Sequence, residues 1–127
     1  MTDDESGKRA RRLLVVDDDR EIGLMLQRAL GRRGFVVDAT SSPDDALVRA
    51  AATPYDAAIV DLVMPGLDGA HLVGQLRGHL PGLPIALLTG YAHSPLLEGV
   101  ERSGVRVFAK PVVIHELVDF LQAEIEA

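Results

Sequence analysis

Apolar residues in this chain come in short unbroken runs that end on polar residues. Between the runs they recur every three or four positions. Short apolar runs bounded by turn residues read as buried strands of a parallel sheet, and the wider spacing reads as one face of a helix. A first strand is expected over Arg12–Val16, running into Asp17-Asp18-Asp19. Ile22, Met25, Leu26, Ala29 and Leu30 then form one helical stripe, closed after Arg32-Arg33 by Gly34. Phe35-Val36-Val37 predicts a short second strand. Ser42-Pro43-Asp44-Asp45 predicts a helix start, with serine as the cap, proline in the first turn and acids at the positive end of the dipole. That helix carries Ala46, Leu47, Ala50 and Ala51 and stops before Pro54.

Ala57-Ala58-Ile59-Val60 predicts a third strand ending on Asp61. Leu67-Asp68-Gly69 then opens a helix with Leu72, Val73 and Leu76, closed by Pro81-Gly82. Ile85–Leu88 runs into Thr89-Gly90 as the fourth strand. A short helix from about Ser94 holds Leu96, Leu97 and Val100 and ends at Gly104. Val105–Ala109 runs into Lys110-Pro111 as the fifth strand, and Ile114, Leu117, Val118, Leu121 and Ile125 share one face of a last helix. Right-handed crossovers put helices on both faces of such a sheet, and five βα units cannot close an eight-stranded barrel. The expected fold is therefore α/β: an open, doubly wound, five-stranded parallel sheet with helices on both faces. Residues 1–11 are expected to be a polar flexible tail and 12–127 one domain.

Composition narrows the function. At 127 residues the chain can bury one sizeable core, and with no cysteine it has no disulfide or thiolate chemistry. A formal charge of −6 argues against nucleic acid as the main partner, and no apolar stretch is long enough for a membrane span. The polar amino terminus lacks the apolar stretch of a signal peptide, so the cytoplasm is the expected location. No Gly-x-Gly-x-x-Gly or Gly-Lys-Ser/Thr loop is present, which removes nucleotide cofactors. His71, His79, His93 and His115 share no ligand spacing and read as solvated surface residues.

The chemistry lies at the strand ends. The carboxyl edge of a parallel sheet is where ligands bind, so Asp17, Asp18, Asp61, Thr89 and Lys110 converge there. Two carboxylates 4 Å apart repel by about 4 kcal/mol at an effective dielectric near 20, so such an edge demands a cation. Oxygen ligands alone suit a hard ion such as Mg²⁺. A carboxylate, a metal and a lysine are what phosphoryl transfer to an aspartate needs. Taken singly, each feature has a plainer reading: Asp17-Asp18-Asp19 can cap a helix, and an Asp or Thr-Gly at a strand end can be a turn. Their occurrence in this order on strands one, three, four and five is far more specific.

The chain resembles a response regulator receiver domain of two-component signalling over about Arg12 to Glu126. The matching motifs are Val15–Asp19, Val60–Gly69, Leu88-Thr89-Gly90 and Phe108-Ala109-Lys110-Pro111. The resemblance implies a flavodoxin-like (βα)5 fold and a phosphorylation-activated switch that catalyses its own phosphorylation and dephosphorylation. It implies that Asp61 takes a phosphoryl group from a histidine kinase or a histidine phosphotransfer protein. Asp18 would bind Mg²⁺ directly and Asp17 largely through water, with Asp61 and the backbone carbonyl of Val63 completing the protein's ligands. Thr89 and Lys110 would contact phosphoryl oxygens, and the Lys110–Pro111 bond is a candidate for cis geometry.

Receivers commonly carry Tyr or Phe three residues before the lysine, where this chain has Val107. Phe108 points to the other face by strand alternation, so Tyr91 is the expected replacement as the mobile aromatic. Val63 and Tyr91 flank the expected path of hydrolytic water and predict slow autodephosphorylation. The output face implied is strand five with the last two helices, including Leu97, Arg106, His115 and Asp119, docking an unknown downstream protein. The chain stops just after the last helix, as a stand-alone receiver or an excised fragment would, and the start Met and polar tail favour the former. Two other classes compete. A Mg²⁺-dependent aspartyl phosphohydrolase would use Asp17 and Asp19 but leaves the Asp61–Pro65 run without a role. A docking-only pseudo-receiver would have lost an acid, the threonine or the lysine, and none is lost.

Overall fold

The computed structural model describes residues 10–64, 67–90 and 105–126. Its elements are β1 (Arg12–Val16), α1 (Arg20–Gly31), β2 (Val36–Thr40), α2 (Pro43–Ala52), β3 (Ala57–Asp61), β4 (Val63–Met64), β5 (Leu67–Asp68), α3 (Gly69–His79), β6 (Ile85–Thr89), β7 (Val105–Ala109) and α4 (Ile114–Ile125). Five strands form a parallel sheet in the order β2-β1-β3-β6-β7. The chain passes from β1 to β2 on one side and returns to β3 on the other. The carboxyl ends of β1 and β3 therefore flank the point where the winding reverses, the usual binding crevice of such sheets.

Side chains alternate across the sheet and build two cores. Leu13, Val15, Ala57, Ile59, Ala86, Leu88 and Phe108 pack against Leu26 and Leu30 of α1 and Leu117, Val118, Phe120 and Leu121 of α4. Leu14, Val16, Ala58, Val60, Ile85, Leu87 and Val105 pack against Ala46 and Ala50 of α2 and Leu72, Val73 and Leu76 of α3. The central strands are apolar throughout because both of their faces are covered. Each fully buried leucine contributes about 1.5–3 kcal/mol. The expected doubly wound α/β architecture is the one observed.

Several boundaries differ from expectation. The second strand is Val36–Thr40 rather than Phe35–Val37. Phe35 is buried, but its N–H closes the turn on the Leu30 carbonyl, and Gly34 before it takes a left-handed φ of 92°. The polar half of β2 is held by register with Leu14–Val16 of β1. Asp38 finds partners in Arg12 Nη1 (3.3 Å) and the Tyr55 hydroxyl (2.7 Å). Leu67-Asp68 does not open the third helix: it pairs antiparallel with Val63-Met64, and the helix starts at Gly69. The fifth strand ends at Ala109 as expected, and the Lys110 N–H continues its ladder by donating to the Thr89 carbonyl (2.8 Å). The short helix expected from Ser94 lies outside the described residues.

Gly69 ties the β4–β5 hairpin to the end of β3. Its N–H donates to the Leu62 carbonyl, and a Cβ there would strike the Asp61 carbonyl oxygen and lie 2.8 Å from the Leu62 Cα. Backbone cannot rotate away as a side chain can, so Gly69→Ala is expected to cost about 1–3 kcal/mol in denaturant unfolding. Gly74→Ala on the same helix meets nothing within 4 Å and should be neutral or stabilise by up to about 1 kcal/mol. Equal effects of the two substitutions would contradict this reading.

Candidate functional site: an acidic cluster at the carboxyl edge of the sheet

Ladder hydrogen bonds carry the site residues one step past their strands. The Asp17 N–H donates to the Thr40 carbonyl (3.1 Å), Leu62 N–H to Leu88 (2.8 Å) and Lys110 N–H to Thr89 (2.8 Å). Val16 pairs with Val60, so Asp17 and Asp61, the next residues, stand side by side. Alternation places Asp17, Asp61 and Lys110 on the α1/α4 side of the sheet, in line with Val15, Ile59 and Phe108. Thr89 lies in line with Ile85 and Leu87 on the α2/α3 side. The five residues expected at the edge are all there, with Thr89 closing β6 beside Ala109 of β7.

The three consecutive aspartates divide their work. Asp19 is the cap of α1, accepting from the N–H groups of Glu21 (2.9 Å) and Ile22 (3.4 Å). The capping reading of this run therefore holds for Asp19. Asp17 is buried, and its Oδ1 accepts the Asp19 N–H (2.9 Å), which fixes the carboxylate against its own turn. Asp18 is exposed. Ligand oxygens of Asp17, Asp18 and Asp61 all lie within 4.8 Å of one another. Among the described residues no other group of acids and histidines is spaced to hold a metal ion.

Lys110 is the counter-ion. Its Nζ lies 3.0 Å from Asp61 Oδ1 and 3.5 Å from Asp17 Oδ2. Burial pushes the Asp61 carboxyl above its ordinary range; Lys110 pulls it back only in part, and Asp17 adds to the rise. Burial also raises Asp17, against the pull of the Asp19 N–H and Lys110. Burial alone would lower Lys110, but Asp61 and Asp17 together hold it above its usual value. Three carboxylates face one ammonium, so the ionised cluster is short of positive charge. Oxygen-only donors with an unbalanced negative charge fit a small divalent cation that keeps part of its water.

The remaining candidates are distributed as follows. Thr89 is buried at the end of β6, and the Lys110–Pro111 bond is cis. Val63, whose carbonyl is expected in the metal shell, opens β4 with its side chain half exposed. Val107 is partly buried against the α2/α3-side core, in register with Leu87, while Phe108 stacks edge-on with Phe120 (5.6 Å) beneath the Arg106 guanidinium. The aromatic of β7 is thus on the face away from Thr89, as alternation requires. Tyr91, Leu97 and His93 lie outside the described residues. His71, His79 and His115 are exposed. Among described residues no helix is long and apolar enough to cross a membrane. Sequence reasoning missed Gly69 as a site residue, and only its place eight residues after Asp61 at a helix start hinted at it.

The family model described as the response regulator receiver domain matches residues 13–122. The sensory/regulatory protein RpfC of Xanthomonas campestris pv. campestris is 36% identical over 118 residues, covering 89% of this chain and 16% of RpfC. Response regulator MprA of Mycobacterium tuberculosis is 35% identical over 113 residues, covering 88% of this chain and 49% of MprA. The chain thus spans half or less of the length of these relatives. Among solved structures, a response regulator protein from Burkholderia pseudomallei with a phosphorylated aspartic acid, calcium ion and citrate superposes with a TM-score of 0.81. It is 30% identical, with 91% of this chain and 69% of that chain covered. The motif order, the parallel sheet and the acidic edge with its lysine agree with these matches, and the chain belongs to the response regulator receiver domain family of two-component signalling.

Proposed function

We propose that this domain is a phosphorylation-activated switch in which Asp61 accepts a phosphoryl group from a phosphohistidine. The observation that carries the reading is the pairing of Asp61 with Lys110 at 3.0 Å inside a cluster of three carboxylates. The solved relative with a phosphorylated aspartic acid and a calcium ion supports it. The phosphodonor is a histidine kinase or a histidine phosphotransfer protein. An Asp61 carboxylate oxygen attacks phosphorus, the P–N bond of the phosphoimidazole breaks, and the leaving nitrogen keeps the electron pair and takes a proton. Asp17, Asp18, Asp61 and the carbonyl of Val63 would hold Mg²⁺, which supplies charge neutralisation for the phosphoryl oxygens. Lys110, already against Asp61, holds one of those oxygens as charge moves onto the group.

Thr89 then reports the change. Its hydroxyl donates to the phosphoryl group, and its movement is felt on the α2/α3 side of the sheet, where Val107 lies. A valine there has no ring to rotate, so the readout uses another element, with Tyr91 the proposed one. The altered surface, β7 with α4 including Arg106, His115 and Asp119, binds the downstream protein. The chemistry is self-catalysed and single-site.

Incubation with Mg²⁺ and acetyl phosphate should add one phosphoryl mass to the parent chain and none to Asp61→Asn, read by intact mass. Equal labelling of both would remove Asp61 as acceptor. The raised carboxyls give a second check. A group whose folded pKa lies above its unfolded value of 3.8 adds stability below that value and loses it as pH rises through the folded pKa. The metal-free domain is therefore weakened near pH 7, where Mg²⁺ at a hundredfold excess over its Kd should restore about 2.7 kcal/mol. The gain in Tm on adding Mg²⁺ is expected to fade towards pH 4. Asp61→Asn without metal should melt about 2–5 °C above the parent at pH 7. A Mg²⁺ effect independent of pH would contradict the carboxylate account.

A further inference from the structure

The face of the molecule covered by α1 and α4 is electrically divided. The exposed surface of α1, its cap and the turn after it carries Arg20, Arg28, Arg32 and Arg33 against Asp19 and Glu21. The exposed surface of α4 and its cap carries Glu116, Asp119, Glu124 and Glu126 with no lysine or arginine. The two helices pack side by side on the same core, yet among the described residues no ion pair joins them. In a chain whose net charge is −6, this concentration of arginine on one helix stands apart from the rest. The same face also holds Met25 (42% exposed) and Val113 (44%), two of the five large apolar side chains left exposed among the described residues.

We propose that this face is an interface with a second copy of the chain, with α1 of each molecule lying against α4 of the other. Both helices have 12 residues, and each starts at the carboxyl edge of the sheet and runs back along it. A two-fold axis parallel to the helices and midway between them places each α1 over its partner's α4, running in the same direction. Arg28 then lies near the partner's Asp119 and Glu124, and Arg32 near the partner's Glu126. A two-fold axis across the helices would put arginine on arginine and carboxylate on carboxylate. The charge pattern therefore selects one symmetric arrangement, as isologous pairing requires. Met25 and Val113 supply the apolar contact between the charged rows. The association does not depend on phosphorylation, because none of these residues belongs to the Asp17–Asp18–Asp61–Lys110 cluster.

Sedimentation velocity on the unphosphorylated full chain tests the proposal. The parent is expected to dimerise at low salt and to dissociate as ionic strength rises toward about 1 M, where charges are screened within about 3 Å. Arg28→Glu with Arg32→Glu should weaken the dimer at least about tenfold, and so should Asp119→Arg with Glu126→Arg. An equimolar mixture of the two reversed chains should associate again, because each presents the charge the other lacks. A parent that stays monomeric to about 1 mM would overturn the proposal and leave the face to a different protein. A dimer that survives either reversal, or reversed chains that do not recombine, would also overturn it. Acetyl phosphate labelling of the same samples separates this result from the fate of Asp61.

Discussion

One ammonium group holds the functional edge of this domain together. Lys110 reaches back from the end of β7 to Asp61 at 3.0 Å and Asp17 at 3.5 Å, spanning three strand ends of the sheet. Without it, two mostly buried carboxylates would face each other across neighbouring strands, at a cost of about 4 kcal/mol for a 4 Å separation. With it, the cluster is still short of positive charge, and that shortage is what makes the edge receptive. The same imbalance fits the edge to the cation and the transferring phosphoryl group proposed for it. Stability is sacrificed where chemistry is expected, as is common at functional sites.

The rest of the architecture serves to hold those charges in place. Burial of Ile59, Val60, Leu87 and Leu88 makes β3 and β6 rigid; the ladder bond from Lys110 to Thr89 ties the lysine to β6, while Asp17 is tied to β2 through Thr40. Asp19 relieves Asp17 of the capping duty that the start of α1 demands. Gly69 lets the β4–β5 hairpin press against the backbone of Asp61 and Leu62. Thr89 ends β6, the neighbour of β3, one residue beyond the Asp61–Leu88 pair. A group engaging both, as proposed, would couple these neighbouring strand ends, and Val107 offers no aromatic ring on β7 for the readout.

Much of this was legible in the sequence for a physical reason. Buried parallel strands are apolar on both faces, so their ends are marked by the first polar residue. In this fold those first polar residues meet at the candidate site. Asp17, Asp61, Thr89 and Lys110 were visible for that reason, and so were the caps at Asp19 and Ser42. What stayed hidden depends on long-range pairing. Asp38–Thr40 is strand only because β1 offers a partner ladder and Arg12 and Tyr55 satisfy Asp38. Leu67-Asp68 looks like a helix start until it pairs with Val63-Met64. The need for glycine at position 69 arises from a contact with the end of β3, which local pattern cannot reveal.

The most direct measurement is to locate the acyl phosphate chemically. Borohydride reduction of the phosphorylated chain converts a phosphoaspartate to homoserine, which tandem mass spectrometry of the digested protein assigns to one position. The account requires homoserine at position 61 and at no other aspartate, formed only when Mg²⁺ is present. Homoserine at position 17 or 18, or a phosphoryl group that resists reduction because it sits on a histidine or a hydroxyl, would contradict it.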